Sequence, residues 1–287
     1  MPTRAEMMRE LVDALVTRPT GEEGVFTAPS PDWFGPRLFG GFVVAQALNA
    51  TINSLSADSL SADMGSGGLR PHSLHGYFLR PVETGRDSEL RVEHVRDGRT
   101  FTTRRVTTVQ GGKEAFVATA SFCLDEAGDE YQAALPDLPG PDDVEPSGFD
   151  GPVEMRDLGA TPVRADGTME STRRVWFGVD PLGDDPGLHA TVLAYLSDMT
   201  GTSFRPLSLG DWGAHTDASL DHAVWFHRPA RADGWLFYDL HALINTGGRS
   251  TVRGELYTSD GQLVLSLAQE LLIRPIDTPP TPWPPTP

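Results

Sequence analysis

The chain has one cysteine, Cys123, and one lysine, Lys113, in 287 residues. A single cysteine excludes an internal disulfide and fits a reducing compartment, so a cytoplasmic setting is expected. Cys123 follows a strand pattern and reads as a small core residue. No run of about 18 apolar residues exists, so no transmembrane helix is expected. The opening Met-Pro-Thr-Arg-Ala-Glu has no apolar signal region. Positive charge is scarce: 23 Lys and Arg face 40 Asp and Glu, a formal net charge of −17. Such a surface makes nucleic acid and anionic membrane poor partners, although a local cluster can still bind an anionic ligand. Gly-X-Ser-X-Gly is absent, which removes support for the nucleophile elbow of one large hydrolase class.

What is present is a duplication. In Ser219–Pro229 the residues Leu220, Val224 and Phe226 alternate as an apolar face interrupted by His222. That period of two reads as a half-buried strand, ended by Pro229, which cannot donate to a ladder. A weaker copy runs from Ser73 to Pro81. Phe78, Arg80 and Pro81 recur as Phe226, Arg228 and Pro229, 148 positions later.

Both halves show the same order of elements. Apolar residues at 7, 8, 11, 12, 15 and 16 predict a helix over 6–16. Gly40-Gly41 then opens a helix over about 39–50 that is apolar on most sides, hence buried. After a small, polar loop at 54–69, strands are predicted near 72–80, 88–96, 100–110 and 114–124, with turns at Asp97-Gly98 and Gly111-Gly112. The second half offers a strand at 173–179, a helix at about 188–200, and strands near 218–227, 235–244, 249–258 and 263–273. The division expected is a first unit over 1–124, a linker over 125–170, a second unit over 171–275, and a Pro-rich tail over 276–287. A helix wrapped by an antiparallel sheet, made twice, is an α+β arrangement. It is that of a double hot dog.

Three polar residues stand out by position. Along the last strand Leu263, Leu265, Leu267, Leu271 and Ile273 share one face, and Gln269 interrupts it. A buried primary amide is costly unless hydrogen-bonded. Its counterpart 149 positions earlier is Ala120. Asp198 lies near the end of the second-half helix, beside its apolar stripe, with Asn49 as its counterpart at the same spacing. A carboxylate there is opposed by its own helix dipole, so stability is a poor reason for it. Burial and the dipole would both push it toward the pKa of a useful base. Ser219 opens the Ser219–Pro229 strand.

The chain resembles the type II acyl-CoA thioesterases, the bacterial thioesterase II proteins and their peroxisomal relatives, from about Leu11 to Arg274. The likeness rests on Phe39-Gly40-Gly41 with Val43-Val44 and Gln46-Ala47-Leu48, on Tyr77-Phe78-Leu79-Arg80-Pro81, on Arg96-Asp97-Gly98, and on Ala118-Thr119-Ala120-Ser121-Phe122. It continues in Ser197-Asp198, Asp221-His222, Trp225-Phe226-His227-Arg228-Pro229 and Val252-Arg253-Gly254-Glu255 with Tyr257-Thr258. The family's catalytic Asp, Thr or Ser, and Gln fall on Asp198, Ser219 and Gln269. Phe42 departs from the Gln common after the two glycines, which bears on the shape of the acyl pocket. The resemblance implies an acyl-CoA substrate, no metal and no cofactor. A homodimer or higher homo-oligomer is expected.

Two other functions deserve comparison. Asp184 and His189 have the five-residue spacing of the hot-dog enoyl-CoA hydratases, without their full motif. A non-catalytic acyl-CoA binding protein would carry a broken triad, and here the triad is intact by type. His72, His75, His222 and His227 lack the partners and spacing of a zinc site. The mechanism expected is attack by a water that Asp198 holds and deprotonates, oriented by Ser219 and Gln269. No histidine is placed by motif to activate Ser219. Direct attack by the Asp198 carboxylate is the alternative. Backbone N–H groups at Gly40 and Gly41 are the candidate donors to the substrate carbonyl oxygen.

Overall fold

A computed structural model describes residues 2–33, 35–55, 68–135, 137–148, 151–158, 172–199 and 215–275. Most of the loop at 54–69, and the tail from 276 on, lie outside these residues.

Helix α1 spans Arg4–Leu15 and starts at a capping box between Thr3 and Glu6. Strands β1 (Arg18–Pro19) and β2 (Val25–Ala28) follow, then helix α2 (Gly40–Asn53). The first meander is β3 (Arg70–Phe78), β4 (Ser88–Asp97), β5 (Phe101–Gln110) and β6 (Lys113–Cys123). The second half holds β7 (Val153–Asp157), β8 (Thr172–Val179), helix α3 (Pro186–Asp198), β9 (His215–Ser219), β10 (Asp221–Phe226), β11 (Gly234–Thr246), β12 (Arg249–Thr258) and β13 (Leu263–Pro275). Every helix expected from periodicity is present, and so is every strand, except that the one expected near 218–227 is divided into β9 and β10. Strand β7 is an addition, since it lies in the stretch expected to be linker. Cys123, expected in the core, is half-buried at the end of β6.

All strands join one sheet in the order β1-β2-β4-β5-β6-β3-β10-β13-β12-β11-β8-β7, with β9 also on β13. The order is a palindrome once each first-half strand is matched to its second-half copy. The seam is antiparallel β3 against β10, where Leu74 faces Val224 and His75 faces Ala223. That reciprocal pairing is what a local twofold requires. The turns between strands use glycines at positive φ, Gly111-Gly112 and Gly247-Gly248, as hairpins need.

One buried cluster joins the inner faces of both half-sheets to all three helices. Helix α2 is buried from Gly41 to Ile52, and α3 from His189 to Asp198, so both lack the solvent-facing stripe of a surface helix. Tyr195 of α3 packs edge-on against Phe39 and Phe42 at the start of α2, with ring centroids 5.7 Å and 5.1 Å apart. Gly41 permits this. A Cβ there would lie 2.8 Å from the Tyr195 carbonyl oxygen. The C-terminal end of α3 therefore lies beside the N-terminal end of α2.

Candidate active site

Asp198 is the last residue of α3 and fully buried. Its own helix dipole opposes a negative charge there, but the neighbouring helix compensates. A Cβ on Gly40 would sit 2.6 Å from Asp198 Oδ2, so the carboxylate lies against the positive end of α2. The two Gly residues have divided roles. Gly40 leaves room for the carboxylate, and Gly41 lets the helices approach. The first N–H groups of a helix have no intrahelical acceptor, and Phe39 at the N-cap makes no side-chain cap.

Gln269 lies on the inner face of β13 and is 1% exposed. The expected conflict between an amide and an apolar face is resolved by hydrogen bonds. Its Nε2 donates to Asp198 Oδ1 at 2.8 Å and to Ser219 Oγ at 2.7 Å. One amide group thus ties α3, β9 and β13 together.

Ser219 arrives there through a β-bulge. On β13 three steps lead from Leu271 to Ala268, while the paired chain takes four, from Ser219 to Ala223. The extra residue shifts the alternation, so Ser219 and His222 both point inward. Sequence periodicity instead predicts one straight strand, with Leu220 on the inner face and Ser219 at its start. In the structure Ser219 ends β9, is half-buried, and Leu220 sits at the bulge. The bulge is held by Leu220 N–H donating to the Glu270 carbonyl, and Glu270 N–H donating to the Asp221 carboxylate.

His222 is fully buried one residue beyond the bulge pair. Its Nε2 is 2.8 Å from Ser197 Oγ, and its Nδ1 is 4.0 Å from Asp198 Oδ1. Burial pushes its pKa down to about 4, so the ring is neutral near pH 7. Burial, with Asp198 nearby, pushes the Tyr195 hydroxyl up and keeps it protonated. Motif reasoning did not assign His222 a role. Its signal was the polar break in the Leu220–Phe226 face.

The matching place in the first half is filled. Asn49 Oδ1 accepts from Thr17 N–H and Oγ at 2.8 Å and 2.9 Å, and its Nδ2 donates to Thr191 at 3.2 Å. Gln46 donates to the carbonyls of Ala14 and Pro29. The segment after α1 thus occupies what in the second half is the polar site, and Ala120 offers no polar group.

The remaining candidates lie elsewhere. Asp184 is exposed and pairs with Arg231 at 2.8 Å. His189 is buried with both ring nitrogens engaged, Nδ1 accepting from Ala232 N–H at 3.0 Å and Nε2 donating to the Gly183 carbonyl at 2.9 Å. They form no dyad. His75 meets Trp225 edge-to-face and is exposed, away from buried His222. Among the described residues no group of His, Cys, Asp and Glu is arranged to hold a metal ion, and no helix is long and apolar enough to cross a membrane.

Comparison with known proteins points one way. Residues 29–123 match the family described as acyl-CoA thioesterase N-terminal domain, and residues 132–273 the acyl-CoA thioesterase C-terminal domain. Human acyl-coenzyme A thioesterase 8 is 32% identical over 270 residues, covering 83% of this chain and 81% of that protein. Acyl-CoA thioesterase 2 of Haemophilus influenzae is 29% identical, covering 87% and 92%. The crystal structure of an acyl-CoA thioesterase II from Mycobacterium marinum aligns with a TM-score of 0.78 at 34% identity, covering 92% of this chain and 98% of that one.

Proposed function

The chain belongs to the type II acyl-CoA thioesterases and hydrolyses acyl-CoA thioesters, and on that premise we propose that Asp198, Ser219 and Gln269 carry the reaction through a bound water. The observation that carries this assignment is the double donation of Gln269 Nε2, to Asp198 Oδ1 and to Ser219 Oγ. Because Ser219 Oγ accepts from the amide, its own proton is available to donate. Because Gln269 holds one carboxylate oxygen, the other is directed at the start of α2.

A water between Ser219 and Asp198 accepts from the hydroxyl and donates to the carboxylate. As its oxygen attacks the thioester carbonyl carbon, Asp198 takes its proton. Negative charge develops on the carbonyl oxygen, and the N–H groups and dipole at Gly40 and Gly41 oppose it. Collapse breaks the C–S bond, and the proton on Asp198 is passed to the departing sulfur. The products are the free acid and coenzyme A thiol. A covalent serine is disfavoured because Ser219 is paired with an amide, which is no base. The same proposal takes the acyl group to be a fatty acyl chain, and the enzyme to work as a homo-oligomer in the cytosol.

The test is thiol release from acyl-CoAs of graded chain length, with dehydration of a 3-hydroxyacyl-CoA assayed beside it. Thiol release without dehydration is expected. Dehydration lost on His189→Ala in a folded protein, with thiol release absent throughout, would replace hydrolysis by hydratase chemistry.

A further inference from the structure

Gln269 serves the proposed site in only one of its two amide orientations. Flipped, it would turn Oε1 toward the Asp198 carboxylate and leave both Asp198 and Ser219 without their donor. Something must hold the amide against that flip. We propose that His222 is the positioning residue that does so: its Nδ1–H donates to Gln269 Oε1, and its Nε2 accepts from the Ser197 hydroxyl. This inference rests on the assignment of Asp198, Ser219 and Gln269 given above.

The placement follows from register. Ala223 pairs with Ala268, so the next step sets His222 across from Gln269 on the inner face. Directly opposed residues on one face of an antiparallel pair have Cβ atoms about 4.5–5.5 Å apart. His222 Nδ1 lies 4.0 Å from Asp198 Oδ1, the same oxygen that Gln269 Nε2 reaches at 2.8 Å. Gln269 Oε1 and His222 Nδ1 are both buried and neither has a partner within hydrogen-bonding geometry, each other included, so a small shift closes the pair. A carbonyl oxygen can only accept, and both amide protons of Gln269 are already committed to Asp198 and Ser219. The oxygen therefore needs a donor, and the imidazole across the strand pair can supply one.

Proton accounting selects the tautomer. The ring is neutral and carries one proton, with burial lowering its pKa and the contact with Gln269 acting in the opposite sense. Were that proton on Nε2, the Nδ1 lone pair, Gln269 Oε1 and Asp198 Oδ1 would converge with no proton from the ring between them. With the proton on Nδ1 the conflict disappears. Ser197 Oγ is 2.7 Å from the Ala194 carbonyl and 2.8 Å from His222 Nε2, so its hydroxyl proton is shared between two acceptors. The resulting chain has one direction: Ser197 to His222, His222 to Gln269, and Gln269 to Asp198 and Ser219.

Three substitutions separate this role from packing. Asn places its amide nitrogen where Nδ1 stands, Gln places its own near Nε2, and Leu keeps bulk alone. In thiol-release assays His222→Leu and His222→Gln should lower kcat by about 10–100-fold, within the loss expected for a misplaced catalytic group, with KM changed less than about threefold. His222→Asn should retain kcat within about threefold of the parent. Full activity in His222→Gln, or a loss in His222→Asn equal to that in His222→Leu, would overturn the proposal. If the variants fail to fold, two-dimensional ¹⁵N–¹H spectra of the unaltered protein decide the matter. A proton on Nδ1 of His222 is expected, and one on Nε2 overturns it. That spectrum does not depend on catalysis. An unaffected Asp198→Asn enzyme would therefore undo the catalytic assignment while the tautomer still tests His222.

Discussion

Gly40→Ala should silence the enzyme while leaving the fold intact. The added Cβ would stand 2.6 Å from Asp198 Oδ2 and 3.3 Å from Phe78 Cζ. Ordinary contact begins at 3.4 Å, so the carboxylate or the helix start must give way by about 0.8 Å. Asp198 has little freedom to retreat. It is fully buried, and its Oδ1 is held at 2.8 Å by Gln269. Moving it breaks the hydrogen bond, and leaving it in place fills the space between the carboxylate and the N–H groups of α2. A misplacement of about 1 Å at a catalytic group costs on the order of 10²-fold in rate, so a comparable fall in kcat is expected. Stability should fall by up to about 1 kcal/mol, the helical preference for Ala over Gly offsetting part of the clash. Gly41→Ala is the contrast. Its Cβ would meet the Tyr195 carbonyl oxygen at 2.8 Å and Phe39 Cε1 at 2.5 Å, driving α2 and α3 apart. That should cost about 1–3 kcal/mol of stability, as overpacking does. Thiol release and thermal melts on the same samples measure both. Parental turnover in Gly40→Ala would refute the claim that Asp198 acts from its place against α2.

Other outcomes follow from the same geometry. Asp184→Ala should leave activity unchanged, because its carboxylate is exposed and pairs only with Arg231 among the interactions described. His189→Ala should lower the melting temperature, since two backbone groups lose their partner, while the folded fraction keeps its kcat. His222 has a folded pKa of about 4 against 6.5 for the free side chain. Between those values the unfolded chain binds the extra proton, so stability falls as pH drops from about 6.5 to about 4, by up to roughly 3 kcal/mol. Urea titrations across that range should show this part of the acid loss missing in a folded His222→Asn. Ser219→Ala and Gln269→Ala should each lower kcat, and their effects combined with Asp198→Asn should be far from additive, as for groups that act as a unit.

The fold was largely legible because both signals it depends on are local. Alternation at Leu263, Leu265 and Leu267, and the all-round apolar character of 42–52, depend only on neighbours in the chain. The duplication placed Asp198 and Gln269 under suspicion, because Asn49 and Ala120 stand where an equal copy would repeat them. Features set between elements were not legible. The bulge at Leu220 is a mismatch of register with β13, and Leu220 continues the apolar alternation as though no bulge existed. In the sequence Gly40 reads only as the opening of a helix, and the packing of α3 beside α2 is what sets it against a carboxylate. Strand β7 is not legible in the sequence because it is short: Val153 and Met155 alternate with Glu154 and Arg156, but two apolar positions are too few to stand out in a polar stretch.

The most direct test is the steady-state kinetics of Asp198→Asn. Asn is nearly isosteric, and the first half already carries Asn49 at the matching position, so the fold should survive. The amide cannot take a proton from water at neutral pH. A general base is worth about 10²–10⁴-fold, and kcat for thiol release should fall within that range with KM little changed. Near-parental turnover in a protein with an unaltered melt would contradict the account.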